Sequence, residues 1–216
     1  MPGSPPSVIR LYRIVHLQNV EQILTHGMYS RASLKSELNY VNIGDTHLIS
    51  QRQDYPVRLP GCGNLGEYVP FYFAGHSPML LNIKTGYRGV RKRPQYEILY
   101  IVCRLDDIVS LCPEWVFTDG HAKDRLSNHY NDLRNLNMID WDMVREQYWR
   151  PTEDDRDRQR RKQAEFLVRN HVPVACIEKI VVRDGPRKKI VEKIMRRLNL
   201  RIPVEVDDQN RLYYYD

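Results

Sequence analysis

An α+β domain is what this sequence predicts, and three observations predict it. Apolar runs rich in β-branched residues occur at Ile98–Arg104 and Ile177–Val182 and read as strands. Other segments, such as Lys188–Leu198, carry apolar residues at helical spacing. The two kinds follow one another without regular strand–helix–strand alternation, which argues against a doubly wound parallel sheet. A chain of 216 residues suits one core and is short for two. Residues 9–216 are therefore expected as a single domain and residues 1–8 as a disordered leader.

The elements justify themselves in order. Val8–Val15 alternates apolar and polar residues and predicts a strand. Asn19 offers an N-cap, Val20, Ile23 and Leu24 share one face, and Gly27 is a stop, so a short helix follows. Ser33–Asn64 is polar and without period, which predicts a long loop. Val69–Phe73, Ile98–Arg104 and Trp115–Thr118 are strands. Leu126–Leu136 and Trp141–Trp149 have helical spacing, the second with Asp140 as N-cap. Over Asp154–Asn170 helix and strand compete, because Phe166-Leu167-Val168 could begin an extended segment. Ile177–Val182 is a strand, and Lys188–Leu198 is a helix with Ile190, Val191, Ile194 and Leu198 inward. Ile202–Val206 and Leu212–Tyr215 would close the chain as a hairpin across Asp208-Gln209-Asn210.

Composition narrows the classes. The apolar fraction of 42% and charged fraction of 28% are those of a globular chain. No apolar run approaches the ~20 residues of a membrane helix, and Met1-Pro2-Gly3-Ser4-Pro5-Pro6 lacks the pattern of a secretory signal. The four cysteines form no C-x-x-C pair, so neither zinc site nor disulfide framework is expected, which fits a reducing compartment and a cytoplasmic protein. Cys103 and Cys176 read as buried small hydrophobes. The net charge of +6 permits a polyanionic partner without demanding one. Its distribution says more: Arg183–Arg201 carries eight Lys or Arg against Asp184 and Glu192, and Arg156–Lys162 packs five basic residues into seven positions. Each run taken alone is equally a solvated face or a phosphate-contacting one.

No local motif decides the chemistry. Phosphate-loop, dinucleotide-fingerprint, nucleophile-elbow and zinc-hydrolase patterns are all missing. What remains is His16 at a strand–helix junction, Arg52 in a polar stretch, Tyr72 between Phe71 and Phe73, and Glu165 beside an apolar run. Each has a bland explanation. His16 can bond to local backbone, Arg52 can be a surface cation, and the aromatic trio can be core. On a helix, Glu165 would pair with Arg161 and Arg169, each pair contributing about 0.3–0.5 kcal/mol. A half-buried carboxylate is costly without a partner or a task, however.

Their order is more telling. Tyr12-Arg13-Ile14-Val15-His16-Leu17-Gln18-Asn19 with Gly27, Ile43-Gly44-Asp45 through Arg52, and Val69-Pro70-Phe71-Tyr72-Phe73 with Ser77-Pro78-Met79-Leu80 come first. Phe117-Thr118-Asp119-Gly120 and Arg161-Lys162-Gln163-Ala164-Glu165-Phe166-Leu167-Val168 follow. Together these five stretches resemble the DarT family of bacterial DNA ADP-ribosyltransferases. The resemblance implies an ADP-ribosyltransferase core of two small facing β-sheets with peripheral helices, gripping NAD as co-substrate and needing no metal. His16, Leu17 and Gln18 would hold the nicotinamide end, with Gly27, Arg52 and Tyr72 in the same cofactor set and Asn42–Arg52 closing over it. Glu165 would be the catalytic glutamate and Arg52 a second catalytic residue. The reaction would attach ADP-ribose to a base in single-stranded DNA, thymine favoured over guanine. The usual partner would be a macrodomain antitoxin, and the protein would act as a monomer away from membranes.

The chemistry is consistent with such residues. Opening the bond between nicotinamide and ribose builds positive charge on the sugar, which a fixed carboxylate in a dry pocket stabilises. A guanidinium is too basic to act as a base. Arg52 is therefore left between pairing with the NAD diphosphate and hydrogen bonding to the acceptor base. A base attacked at its ring edge must be unstacked, so a single strand is the natural substrate. Candidate contacts to it are His121, Lys123, Arg125, Tyr148, Trp149 and Arg156. Two other readings stay open: the same chemistry on RNA or protein, and a basic nucleic-acid-binding module on the same fold without catalysis.

Overall fold

The structure, a computed structural model, describes residues 3–33 and 40–215. β1 (Arg10–His16) leads through a 3-10 turn into α1 (Val20–His26) and the short β2 (Met28–Tyr29). α2 (Thr46–Gln53), β3 (Tyr68–Tyr72), α3 (Pro78–Thr85) and β4 (Ile98–Arg104) follow. Next come α4 (Leu105–Leu111), β5 (Trp115–Thr118), β6 (His129–Tyr130), α5 (Trp141–Arg145) and α6 (Arg158–Lys162). β7 (Glu165–Arg169), β8 (His171–Val172), β9 (Ile177–Val182), α7 (Gly185–Arg197) and β10 (Val204–Val206) complete the chain.

Eight strands form one ladder in the order β10-β9-β4-β1-β3-β7-β5-β6, and β2 pairs with β8 separately. Seven residue pairs join β1 to β4, whereas β1 meets β3 through the single pair Tyr12↔Tyr72. The two small sheets expected from the resemblance are thus two four-stranded halves joined at one point. Beyond that point Tyr72 lies opposite Glu165 in the β3–β7 register.

The core explains the arrangement. Every residue of β4 from Ile98 to Cys103 is buried, as a strand covered on both faces requires. One apolar cluster gathers Leu11, Phe71, Phe117, Phe166 and Ile180, and a second gathers Ile14, Leu80, Tyr100 and Tyr213. Burial of each such side chain stabilises by about 1.5–3 kcal/mol. Cys103 and Cys176 are fully buried in the first cluster, and Cys112 joins them there.

Several expectations need correction. The polar stretch Ser33–Asn64 contains α2, capped by the Asp45 side chain on the Leu48 amide at 3.0 Å; residues 34–39 lie outside the described residues. Asn19 does not cap α1 with its side chain but bonds both backbone groups of Val41. Leu126–Leu136 is not helical: β6 and a 3-10 turn over Leu133–Met138 occupy it, because Asp132 turns the backbone by accepting from the Arg134 amide. The Trp141 helix is real and Asp140 caps it, but it ends at Arg145. Asp154–Asn170 resolves into α6 and then β7, so Glu165 begins a strand. On α7, Val191, Ile194 and, at its C-cap, Leu198 face the core as expected and Met195 joins them, while Ile190 is exposed. No closing hairpin forms: β10 runs parallel to β9, and Asp207 turns the following segment by accepting from the amides of Arg211, Leu212 and Tyr213. Of the expected leader, Met1 and Pro2 lie outside the described residues. Residues 3–9 carry no helix or strand, and the Ser4 carbonyl accepts from Arg145.

Candidate active site

Strand alternation builds the site. On β7, Phe166 and Val168 enter the main core, so Glu165 faces the other side with Leu167. Glu165 is only 2% exposed. Arg52, in the last turn of α2, crosses to it with two bonds, Nη1 to Oε1 at 3.1 Å and Nη2 to Oε2 at 2.9 Å. This is the bidentate fork that suits a guanidinium to a carboxylate. The helical partners Arg161 and Arg169 are elsewhere: Arg161 binds Asp140 and Asp155, and Arg169 binds Glu67 and Glu114.

The Ala122 amide donates to Glu165 Oε1 at 2.9 Å. That amide is held in place by a braced loop between β5 and β6. Thr118 Oγ1 donates to the Gly120 carbonyl at 2.6 Å, and the His121 amide donates to the Arg160 carbonyl at 3.0 Å. Arg160 also reaches Asp119 at 3.3 Å and Ser127 Oγ at 3.1 Å. Arg58 donates to the carbonyls of Asp124 and Arg125, each at 2.8 Å. The Arg58 amide donates to His129 Nδ1, so His129 carries its proton on Nε2 and donates to the Ala122 carbonyl at 3.0 Å.

Electrostatics fix the carboxylate in its charged form. Burial pushes the Glu165 carboxyl up, but Arg52 and the Ala122 amide outweigh it and hold it below the ordinary glutamate value. Burial opposes the charge on Arg52, and Glu165 more than restores it, so that guanidinium sits above its usual value. Burial, and then Glu165, raise the Tyr72 hydroxyl, which stays neutral. Burial lowers the His121 imidazole. The result is one buried anion, one buried cation and two neutral rings at the meeting point of β3, β7, α2 and the β5–β6 loop.

His16 forms a second centre. Tyr12, Ile14 and His16 share one face of β1, and Tyr12 pairs with Tyr72, so His16 lies roughly 13 Å from that pair along the strand. Its Nδ1 accepts from the Gln18 amide at 3.2 Å, which leaves the proton on Nε2 facing Glu97 at 3.3 Å. Arg93 approaches both groups. Burial lowers the imidazole, so His16 is neutral at pH 7. Leu17 packs against the core and Gln18 is exposed. Gly27 has a packing reason: with φ at +80°, it closes α1 where a Cβ would stand 2.4 Å from the Val172 carbonyl.

The nucleic-acid candidates divide. His121 and Lys123 are on the braced loop beside Glu165, with Lys123 Nζ bonded to Gln51 of α2, and Arg125 is exposed on that loop. Tyr148 is 81% exposed and Arg156 is also exposed. Trp149 does not fit the expectation: its ring is buried and its Nε1 donates to Tyr214 Oη at 2.8 Å, which leaves no face to stack on a base. Sequence reasoning missed Ala122, Arg160, Arg93 and Glu97. The i,i+4 spacing of Arg93 and Glu97 was a signal for the last two.

A dinucleotide fits this chain's donor set. The buried Nε atoms of Arg13 and Arg93 lack partners among the described residues; Arg13 follows Tyr12, which pairs with Tyr72, and Arg93 approaches His16. Among the described residues no cluster of three or more His, Cys, Asp or Glu gathers as metal ligands do, and no helix is long and apolar enough to cross a membrane.

The chain matches a known family and several solved proteins. A family model described as "ssDNA thymidine ADP-ribosyltransferase, DarT" matches residues 12–215. A DNA ADP-ribosyl transferase of Escherichia coli O127:H6 is 35% identical over 199 residues, covering 92% of this chain and 91% of that relative. The DarT of Thermus sp. 2.9, solved with ADP-ribosylated ssDNA, superposes with a TM-score of 0.88 at 29% identity, covering 99% of this chain and 100% of that one. Its complex with NAD+ gives 0.82 at 28% identity, covering 98% and 100%. A Thermosipho africanus relative, named a DNA ADP-ribosyl transferase-DNA ADP-ribosyl glycohydrolase fusion, is 26% identical over 94% of this chain and 49% of its own length.

Proposed function

The chain belongs to the DarT family of ssDNA thymidine ADP-ribosyltransferases, and from that premise we propose that Glu165 is the carboxylate on which transfer of ADP-ribose from NAD+ to thymidine in single-stranded DNA depends. NAD+ supplies the ADP-ribosyl group, whose bond to nicotinamide opens with positive charge growing on the ribose. The carrying observation is that Glu165 is buried, ionised and clamped from two sides, by the Arg52 fork and the Ala122 amide. A carboxylate so held stabilises that charge without having to reorganise. Tyr72, opposite it in the register and neutral, offers a ring face beside the reacting sugar.

Arg52 has two tasks. It keeps Glu165 charged and oriented, and one of its amine nitrogens is poised to bond an oxygen of the acceptor base or of the diphosphate once substrates enter. His16, Leu17 and Gln18, with Arg93 alongside, hold the far part of the dinucleotide. His121, Lys123 and Arg125 receive the strand beside Glu165, and Tyr148 and Arg156 extend that contact. Residues 9–216 act as one domain, as a monomer in the bacterial cytoplasm. The fused glycohydrolase of the Thermosipho relative supports a separate macrodomain antitoxin, of the type that removes ADP-ribose, as partner.

The test is mass spectrometry of defined oligonucleotides after incubation with NAD+. Single-stranded DNA with one thymidine is expected to gain one ADP-ribose with wild type and none with Glu165→Ala. Gain on RNA or on protein alone, or equal gain with both enzymes, would overturn the proposal.

A further inference from the structure

A strongly basic, aromatic surface lies apart from Glu165 and, Arg93 excepted, is not used by the reaction above. After α3, Gly86 and Gly89 at positive φ, with Arg88 at φ 56°, turn the chain outward. This presents Tyr87, Arg88, Arg91 and Lys92 to solvent, with Tyr87 61% exposed. Four residues beyond Lys92, Tyr96 is 43% exposed. An open groove of about 820 Å³ lies between this turn and the start of α7, lined by Lys84, Lys92, Arg93, Tyr96, Arg183 and Asp184. Its one carboxylate, Asp184, is already engaged, capping α7 through the Arg187 amide and meeting Arg187 Nη1 at 3.3 Å. The Arg187 guanidinium lies 4.0 Å from the Tyr96 ring centre, and that of Arg88 lies 5.6 Å from the Tyr87 ring centre.

We propose that this surface, from Tyr87 to Lys92 and across Tyr96 to Arg187, is a second strand-binding track that holds single-stranded DNA flanking the modified base. Alternating rings and cations on an exposed surface match an unstacked polynucleotide: rings and guanidinium planes take bases, and lysines take phosphates. Charge alone would suit any polyanion, but two tyrosines each paired with an arginine face favour one that carries aromatic bases. The turn continues directly into Arg93, which sits at His16, so a strand on this track adjoins the cofactor end of the site. The inference rests on the reading of the protein as a DNA-modifying enzyme for the identity of the strand.

The experiment measures binding apart from catalysis. Fluorescence anisotropy of 5- and 20-nucleotide single-stranded DNAs with one central thymidine is followed without NAD+, over a salt series. The proteins are wild type, Lys92→Glu combined with Arg187→Glu, and Tyr96→Ala. Wild type is expected to bind the longer strand about tenfold tighter or more. Tyr96→Ala should lose about tenfold on the longer strand. The charge-reversed protein should lose most of the length preference, with the log–log salt slope falling by about 0.7 for each phosphate contact removed. All three should modify the 5-mer alike when NAD+ is added. A wild type without length preference, variants that keep it, or equally tight binding of polyglutamate would overturn the proposal, the last in favour of an acidic protein surface. Failure of the catalytic reading would instead appear as absent ADP-ribosylation with the binding pattern intact.

Discussion

Arg52→Ala removes one partner of a buried ion pair and leaves the other in place. Glu165, 2% exposed, would keep only the Ala122 amide as a close donor among the described residues. Breaking a buried pair in this way costs about 3–5 kcal/mol. For a chain of this size 1 kcal/mol shifts Tm by roughly 2–4 °C, so a fall of about 6–20 °C is expected. Alanine is the better helix former, so loss of α2 propensity cannot mimic the effect. The pH dependence sharpens the test. In wild type the Glu165 carboxyl sits below its ordinary value, so its stabilisation is present at neutral pH and lost as pH falls through the folded value. In the variant, burial without Arg52 lifts the carboxyl above that value, so stability is lost as pH rises through it. The deficit should therefore shrink steadily as pH falls below the ordinary glutamate value and be widest at neutral and higher pH, read by thermal unfolding monitored by circular dichroism. A deficit below about 1 kcal/mol that is flat with pH would refute a buried, charged Glu165.

Three further outcomes are expected. Lys162 is 4% exposed with Nζ on the Val144 carbonyl at 2.7 Å, and burial brings its ammonium down to about 7. Its contribution to stability is full above the unfolded value and is lost as pH falls towards 7, so unfolding free energy should rise between pH 7 and 9, and Lys162→Met should flatten that rise in urea titrations. Gly27→Ala places a side chain in backbone space open to glycine and against the Val172 carbonyl, and should cost at least about 1–3 kcal/mol by the same titration. Trp149→Phe should cost about 1 kcal/mol through its lost bond to Tyr214 and leave oligonucleotide affinity unchanged by anisotropy.

What the sequence disclosed follows from where apolar side chains alone decide structure. β4, β5 and β9 match the strands expected from their runs to the residue, because buried strands are dense in β-branched and aromatic residues. α2 was illegible because its apolar residues Leu48 and Ile49 are only half-buried, so there is no apolar stripe to read; a capping aspartate and a bidentate contact at Arg52 position it. The 126–136 segment had helical spacing, yet Asp119, Arg58 and Arg160 hold its first part as a braced loop, contacts remote in sequence. The ambiguity before Asn170 was real: a charged turn of helix gives way to a buried strand within three residues. Glu165, Arg52 and Tyr72 could be named from the order of motifs, but their meeting depends on the β3–β7 register and on α2. The bracing role of Ala122 is a backbone property that no side-chain pattern carries.

The most direct measurement is a crystal structure with a non-hydrolysable NAD+ analogue bound. A Glu165 carboxylate oxygen is expected within hydrogen-bond distance, about 2.6–3.2 Å, of the ribose attached to nicotinamide, with Tyr72 beside it and His16 at the cofactor. An analogue bound away from Glu165, with that carboxylate still enclosed by Arg52 and Ala122 and touching no sugar, would contradict it.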